Sequence, residues 1–221
     1  YISHLDEMRL LESKHKVIFE KTRELSIAKA EKDKAEFLIF DDGLQEKKIN
    51  YDLKIVCFNS IKLDGNGLII PAGPLRERLS SIKNYDIVLI NGNFIKETKN
   101  FINKIKNINP DIKIFTGKYV PKNYFKLKKK KFIIFSGIGN PHTFSDTLKN
   151  LKIKFNGYEK FPDHYDYKEA DLQKLKHLAK IKNCELLTTE KDYFRLKKSF
   201  RKNINYLKVE LSVEQKKQFY R

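Results

Sequence analysis

The segment FLIFDDGLQ, residues 37–45, runs from four apolar side chains directly into Asp41 and Asp42. The apolar run predicts a buried strand that delivers both carboxylates to its carboxyl end. Ligands of open α/β sheets bind at that end, and many nucleotide hydrolases and kinases hold Mg²⁺ there with an aspartate. Two aspartates before a glycine are also ordinary turn chemistry, so these residues alone support both interpretations equally.

The loop LDGNGLIIPAGPLRER, residues 63–78, favours a functional interpretation. It contains three glycines and two prolines and ends with Arg76, Glu77 and Arg78. Glycines let a backbone approach a ligand closely, and an arginine beside a glutamate can bind phosphate and sugar hydroxyl groups. The alternative is an ordinary surface loop with an exposed ion pair, but about 16 residues is long for a simple connection.

Four further segments carry weaker signals. Asp6 and Glu7 begin a predicted helix, where carboxylates also complement the helix dipole. His164 follows Asp163 in a predicted loop and can act as a general base or orient one, although most loop histidines are simply solvated. SGIGNPHTF (136–144) predicts a strand, a glycine turn and a helix start that suits an anion. TTEKDYFRL (188–196) follows a predicted strand. Its Thr189 can cap a helix, with Lys191 and Asp192 facing the same edge of the sheet.

The elements that must position these residues alternate along the chain. Apolar runs predict strands at 16–20, 37–40, 53–58, 86–91, 112–115, 131–137, 152–157, 184–189 and 204–211. Helical spacing predicts helices at 22–34, where Thr22 can be the cap, and at 95–108, 143–151 and 168–182. Strands that are apolar throughout and separated by helices predict mostly parallel sheets covered on both faces.

The polar and basic stretch TGKYVPKNYFKLKKKK, residues 116–131, predicts a domain boundary. We therefore expect two three-layer α/β/α lobes, the first over 1–118 and a smaller one over 132–221. Residues 119–131 would form a basic linker, and the last helix would pack back on the first lobe.

The formal net charge of +18 favours anionic partners such as phosphates, nucleic acid or an anionic bilayer. Lysine, asparagine and isoleucine are abundant throughout, so part of this charge reflects compositional bias. No stretch is long and apolar enough to span a membrane. Cys57 and Cys184 lack metal-ligand spacing and are predicted to be reduced core thiols.

These segments together resemble one family, the tetraacyldisaccharide 4′-kinases, which phosphorylate the lipid A precursor. The similar segments follow the family's order and cover the whole chain: DEMRLL (6–11), DDGLQ (41–45), GNGLIIPAGPLRE (65–77), SGIGNPHTF (136–144), FPDHYDY (161–167) and TTEKD (188–192). The long loop is the most specific of them, whereas TTEKD and DDG are weak alone.

The resemblance implies ATP and Mg²⁺ as cofactors and assigns roles to nine positions. The implied catalytic residues are Asp6, His164 and Asp42; the implied metal ligands are Asp41, Asp42 and Glu7; the implied substrate contacts are Gln45, Asn66, Arg76 and Glu77. His164 would orient Asp6 or tune its pKa while Asp6 accepts the proton of the attacking sugar hydroxyl.

Two departures accompany the resemblance. Glu46 stands where the family usually has histidine. The sequence also contains no G-x-x-x-x-G-K-[ST] phosphate loop. We therefore expect an N-terminally truncated kinase, its first lobe resembling a P-loop hydrolase without its N-terminal strand and phosphate loop, and inactive alone.

The function that this resemblance implies is transfer of the γ-phosphate of ATP to the 4′-hydroxyl of a tetraacyl glucosamine disaccharide 1-phosphate. The enzyme would work at the cytoplasmic face of the bacterial inner membrane, against an anionic membrane surface and without nucleic acid. One alternative is another Mg²⁺-dependent P-loop kinase or hydrolase. The other is a basic nucleic-acid-binding module, which is disfavoured because the aromatic residues fall mainly in strand-like runs. The sequence does not indicate the oligomeric state.

Overall fold

A computed structural model describes residues 5–214 and residue 219, and the chain divides into two compact units. We call residues 39–120 and 210–221 the aspartate unit, because it contains Asp41 and Asp42. Residues 1–38 and 121–209 form the histidine unit, which contains His164.

The described helices are α1 (Leu5–Glu12), α2 (Arg23–Lys32), α3 (Lys96–Ile108), α4 (Tyr124–Leu127), α5 (Pro141–Asn150), α6 (Glu169–Ile181) and α7 (Glu190–Arg195). The strands are β1 (Ile55–Asn59), β2 (Ile87–Asn91), β3 (Lys113–Pro121), β4 (Lys131–Ser136), β5 (Lys154–Lys160), β6 (Glu185–Thr189), β7 (Ile204–Leu207) and β8 (Val209–Val213). Along the part of the chain that the structure describes, no helix has the length and apolar character needed to cross a bilayer.

The histidine unit is built on a four-stranded sheet in the order β5-β4-β6-β7, whose neighbouring strands are parallel. Strand β4 is buried on both faces, because its side chains alternate between two cores. Ile133 and Phe135 pack with α6, whereas Phe132 and Ile134 pack with α5. This arrangement confirms the predicted three-layer α/β/α architecture with a parallel sheet.

The aspartate unit contains the second sheet, in the order β1-β2-β3-β8. Strands β1, β2 and β3 are parallel. On one face Val88 and Ile90 pack against Phe101 and Ile105 of α3. The opposite face has a smaller core, in which the buried members are Ile87, Leu89 and Phe115.

The predicted helices at 22–34, 95–108, 143–151 and 168–182 are present, and Thr22 caps α2 by accepting a hydrogen bond from the Leu25 amide at 3.3 Å. The predicted last helix lies outside the described residues. The predicted strand at 37–40 is wrong. Those residues are irregular, and the side chains of Phe37 and Ile39 are 77% and 86% exposed. Within the described residues no strand pairs with them, and only Phe40 is partly covered, by the ring of Tyr51 at 5.4 Å. The predicted strand at 16–20 is irregular as well.

The predicted lobe boundaries also differ from the observed division. Helices α1 and α2 belong to the histidine unit, and residues 210–214 belong to the aspartate unit. The predicted single strand over 204–211 is instead β7 and β8, which lie in different sheets. The predicted linker over 119–131 contains the end of β3 and all of α4, whose Leu127 is buried.

The two cysteines are free, but only Cys184 is partly buried, as a core thiol should be. Cys57 is exposed and lies on β1, which pairs only with β2 in the described chain.

Candidate functional site

The structure brings two of the predicted site residues, Asp42 and Arg76, into direct contact. The Arg76 guanidinium donates a hydrogen bond to the Asp42 carboxylate, and this raises the pKa of Arg76. Both side chains are more than half exposed, so such an ion pair contributes only about 0–1 kcal/mol to stability. The pair therefore does little for folding and leaves both charges accessible to a ligand.

The glycine-rich loop holds a defined conformation through its own hydrogen bonds. The Asn66 side-chain amide donates to the Ala72 carbonyl at 2.8 Å, and its oxygen accepts from the Leu68 amide at 3.1 Å. A Cβ at Gly73 would lie 2.2 Å from the Asn66 Oδ1, so only glycine fits there. Asn66 thus shapes the loop, and its predicted substrate contact stays a prediction.

Glu77 is held by a residue that the sequence did not single out. The Tyr85 hydroxyl donates to the Glu77 Oε2 at 2.8 Å. Burial of the phenol, together with this hydrogen bond and the nearby negative charge, raises the pKa of Tyr85 to about 12. The only signal in the sequence was the position of Tyr85 just before a predicted strand, which does not indicate a partner eight residues away.

Asp41 and Gln45 are exposed residues of the same unit. The neighbouring Glu46, which replaces the family's usual histidine, accepts a hydrogen bond from the Lys48 amide at 3.2 Å. This contact lies within a local turn and gives no evidence of a substrate role.

His164 lies in a turn after β5, beside the end of β4. Its amide donates to the Gly137 carbonyl at 3.2 Å and to the Asp163 Oδ1 at 3.0 Å. Its φ of 57° is left-handed, and its Nε2 lies 3.9 Å from the Asp163 Oδ1. The backbone therefore fixes this histidine at the carboxyl ends of parallel strands, where α/β proteins bind ligands.

Asp6 and Glu7 lie in α1, but their side chains fall outside the described residues. Helix α1 packs against α7, and Lys14 forms an ion pair with Glu190 at 2.8 Å. Helix α7 directly follows β6, a strand of the histidine unit, so the contact with α7 places α1 in that unit. The sequence positions Asp6 and His164 therefore belong to the same unit. The prediction grouped Asp6 with Asp41 and Asp42 instead, because the strand pattern gave no means of assigning α1 to a sheet.

Asp192 anchors the glycine turn after β4. Its fully buried carboxylate accepts hydrogen bonds from the Gly137 amide at 3.1 Å, from the Tyr167 hydroxyl at 3.0 Å and from Arg195 at 2.9 Å. Burial raises the pKa of Asp192, while the Thr189 hydroxyl, Arg195 and the other donors oppose that effect. Asp192 therefore lies just after the ends of β6 and β4, at the predicted edge, but it is a buried structural clamp.

The donor chemistry of Asp41 and Asp42 fits Mg²⁺. Magnesium is commonly held by one or two carboxylates together with substrate phosphates and water, so a protein cage is not required. Among the residues whose side chains are described, no cluster of three or more histidine, cysteine or acidic residues suited to a metal occurs.

The two parallel sheets are flanked by helices, and the His164 turn lies at the carboxyl ends of the strands. These features place this protein among the α/β proteins, which bind ligands at the carboxyl ends of their strands. A sequence model of the tetraacyldisaccharide-1-P 4′-kinase family matches residues 5–221. The chain is 42% identical over 224 residues to the tetraacyldisaccharide 4′-kinase of Pelagibacter ubique, covering 98% of this chain and 69% of that protein. The chain belongs to the tetraacyldisaccharide 4′-kinase family.

Further relatives support the same family assignment. The tetraacyldisaccharide 4′-kinase of Rickettsia africae is 39% identical over 181 residues, which cover 81% of this chain and 54% of that protein. Among solved structures, LpxK from Aquifex aeolicus in complex with ATP matches with a TM-score of 0.61 and 27% identity, over 88% of this chain and 58% of that one. The chain thus spans between about half and about two thirds of these relatives.

Proposed function

We propose that this chain supplies the acidic and acceptor-binding parts of an ATP-dependent kinase. The reaction transfers the γ-phosphate of ATP to the 4′-hydroxyl of a tetraacyl glucosamine disaccharide 1-phosphate. The observation that carries the proposal is the accessible Asp42–Arg76 pair beside Asp41, in a chain that matches the kinase family over residues 5–221.

Asp41 and Asp42 would hold Mg²⁺, which neutralises charge on the transferred phosphoryl group when it is bound with ATP. Arg76 would exchange its bond to Asp42 for one to the phosphate of the disaccharide, because guanidinium binds either anion through the same N–H groups. Glu77, Gln45 and Asn66 would contact the sugar.

Proton transfer falls to Asp6 and His164. Asp6 would accept the proton of the attacking hydroxyl, and His164 would orient Asp6 or adjust its pKa. The support for this assignment is that both sequence positions belong to the histidine unit and that the His164 backbone is fixed at the ends of β4 and β5.

The acceptor is a lipid, so the proposed place of action is the cytoplasmic face of the inner membrane. The net charge of +18 suits an anionic leaflet, where each nearby lysine or arginine adds attraction that salt weakens. We propose no role for nucleic acid.

Transfer should also need a phosphate loop, because backbone N–H groups and a lysine around the phosphates supply much of the positioning and charge stabilisation. The 221 residues contain no such sequence, and the glycine turn at Gly137 cannot replace it because the Gly137 amide is bonded to Asp192. We therefore expect the 221-residue chain to bind ATP weakly and to form no product alone.

A chimera tests this proposal. The part of the Pelagibacter ubique enzyme that lies outside the matched region is joined to this chain, and the 4′-phosphorylated product is measured by mass spectrometry. We expect ATP-dependent product from the chimera and a loss of about 100-fold or more with Asp42→Asn. The chimera with Glu46→Gln serves as the matched acidic control and should remain active.

Two results would contradict the proposal. A chimera that folds and binds ATP but forms no product would exclude the acceptor assignment. Product formed by the 221-residue chain alone would mean that the phosphate site lies in residues assigned other roles above.

A further inference from the structure

Asp192 and Arg195 of α7 form a buried ion pair at the carboxyl end of β4. The exposed fractions of the two side chains are 0% and 3%, and Nη1 of Arg195 lies 2.9 Å from Oδ1 of Asp192. Both backbone polar groups of Gly137 are bonded to this pair. The Gly137 amide donates to Asp192 at 3.1 Å, and the Gly137 carbonyl accepts from Arg195 at 2.8 Å. We call these three residues the Asp192 clamp.

The Asp192 clamp also fixes the backbone of His164. The same Gly137 carbonyl that accepts from Arg195 accepts a hydrogen bond from the His164 amide at 3.2 Å. The φ of His164 is 57°, a left-handed conformation that a residue other than glycine keeps where the surrounding contacts fix it. Arg195 therefore holds the acceptor on which the turn of His164 depends.

The segment FPDHYDY, residues 161–167, is held on either side of its histidine as well. At its start, the Phe161 amide donates to the Ser136 carbonyl at 2.9 Å. At its end, the Tyr167 hydroxyl donates to Oδ1 of Asp192 at 3.0 Å. The start, middle and end of the segment are thus bonded to the last residue of β4 or to the Asp192 clamp.

The packing at Gly137 leaves no room for a side chain. A Cβ there would lie 2.9 Å from the Pro162 carbonyl oxygen and 3.1 Å from the Tyr167 hydroxyl. Since ordinary contacts of a Cβ begin at about 3.4 Å, even a methyl group would displace the segment that carries His164. The position of His164 is therefore coupled to the Asp192 clamp.

Helix α7, which carries both charges of the Asp192 clamp, also contacts the helix of the proposed base. Asp6 belongs to α1, and α1 packs against α7. Glu190 at the start of α7 pairs at 2.8 Å with Lys14, two residues after the end of α1. One short helix therefore supports both the helix that carries Asp6 and the turn that carries His164.

We infer that Asp192 and Arg195 are positioning residues, which hold His164 where it can act on Asp6. The TTEKD segment, to which Asp192 belongs, thereby gains a part in proton transfer. A histidine that orients a base must itself be held, because displacing a catalytic group by about 1 Å can cost about 100-fold in rate. The inference rests on the proposed function, in which Asp6 is the base and His164 orients it.

Gly137→Ala in the chimera tests the inference, because it displaces the His164 segment and leaves both charges of the Asp192 clamp in place. Asp192→Asn is less suitable, since it would also lower the stability of the fold. We expect Gly137→Ala to lower kcat about tenfold or more and to leave the KM for ATP within about twofold. Gly157→Ala in β5 is the matched control. The atom nearest to its Cβ would be Cδ1 of Ile133 at 3.1 Å, a side-chain end that can move, so kcat should not change.

A double-mutant cycle with His164→Ala distinguishes positioning from a purely structural role. If the Asp192 clamp acts through His164, Gly137→Ala should have little further effect on kcat in a chimera that already carries His164→Ala. Loss of folded enzyme would instead lower kcat by the same factor in both backgrounds. Circular dichroism measures folding, and Tyr167→Phe takes the place of Gly137→Ala in the cycle if that variant does not fold. Tyr167→Phe removes one hydrogen bond from the clamp and keeps the ring.

A nuclear magnetic resonance spectrum of the 221-residue chain gives a readout that needs no phosphoryl transfer. The chain has five histidines, and the imidazole signal of His164 is the one that is lost in His164→Ala. Gly137→Ala should move this signal and leave that of His177, an exposed residue of α6, unchanged. Gly157→Ala should move neither signal.

Three results would overturn the inference: unchanged kcat in the Gly137→Ala chimera, a loss that persists in full beside His164→Ala, or a His164 signal that does not move. An unmodified chimera that binds ATP but forms no product would count against the proposed function instead. The spectrum would still decide whether the Asp192 clamp positions His164. Failure of the inference and failure of the kinase proposal are therefore distinguishable.

Discussion

Arg76 bonds to a carboxylate in this structure, although its proposed partner during catalysis is a phosphate. The exposed Asp42–Arg76 pair is held weakly enough for that exchange, since ion pairs in water contribute little. Arg76 is therefore a binding residue whose contribution should appear mainly in substrate affinity.

In the chimera, Arg76→Ala should raise the KM for the disaccharide about 10- to 100-fold, because a hydrogen bond to a charged group is lost. The KM for ATP and kcat should change much less. Steady-state kinetics with each substrate varied measures both, and Arg78→Ala is the matched control on an exposed arginine two residues away. A change confined to the KM for ATP would move Arg76 to the nucleotide.

Tyr85 should respond to pH in a specific direction. Its pKa rises from 10.0 to about 12 in the folded chain, so folding favours the protonated phenol. The contribution to stability is fully present below pH 10 and is lost as the pH rises through about 12. Tyr85→Phe should cost about 1 kcal/mol of unfolding free energy at neutral pH.

Urea unfolding and absorbance at 295 nm, each followed from pH 8 to 12 in both chains, would test this. The stability difference should shrink above pH 10, and the difference titration should show a tyrosine that ionises near 12. A difference titration centred near pH 10 would show that Tyr85 is not held by Glu77.

Asp6 and His164 are predicted to share one task. If they do, Asp6→Ala and His164→Ala in the chimera should each lower kcat nearly as much as the double variant. A double-mutant cycle on kcat measures this coupling. Additive losses would mean that the two residues act separately, and unchanged turnover in His164→Ala would assign His164 to the fold of its turn.

At the scale of elements, the glycine turn after β4 depends on α7. Asp192→Asn should cost about 3–5 kcal/mol of unfolding free energy, because it removes the charge that pairs with buried Arg195. Denaturant unfolding of the 221-residue chain measures the cost. Asp146→Asn is the matched control, since Asp146 pairs with Lys149 on the surface of α5 and should lose no more than about 1 kcal/mol.

The segment 37–40 is an element in which local pattern and structure disagree. Four apolar residues in a row favour a strand, but a strand needs a neighbour for its backbone groups and a layer over its side chains. Neither is present among the described residues, and Ile39 is 86% exposed. Asp41 and Asp42 are therefore positioned here by turns and by Arg76.

At the scale of the molecule, the two units differ in how well their sheets are covered. Strand β4 has paired neighbours on both sides, and five of its six residues are completely buried. In the described chain β1 pairs only with β2, and its Cys57 is exposed. Local opening should therefore be easier in the aspartate unit.

Hydrogen exchange followed by mass spectrometry tests this difference. Amides of β1 should exchange about tenfold or more faster than those of β4, and β2, which has neighbours on both sides, should exchange more slowly than β1. Equal protection of β1 and β4 would show that the aspartate unit has cover that the described residues do not reveal.

The sequence by itself determined the fold class, because side-chain periodicity and helix caps are local properties. Val88 and Ile90 lie in a buried strand as the apolar run predicts, and Thr22 caps α2 as its spacing predicts. The family was also accessible from the sequence, since the loop 65–77 has a specific order of residues.

Only the tertiary structure decided which unit each element joins and which side chains meet. The packing of α1 on α7 and the bonds of Tyr85 to Glu77 and Asp192 to Gly137 join residues across turns or between elements. Neither helix pattern nor strand pattern encodes such contacts. The segment 37–40 and the division of 204–211 into β7 and β8 show the same limit, because a strand exists only where a neighbour accepts its hydrogen bonds.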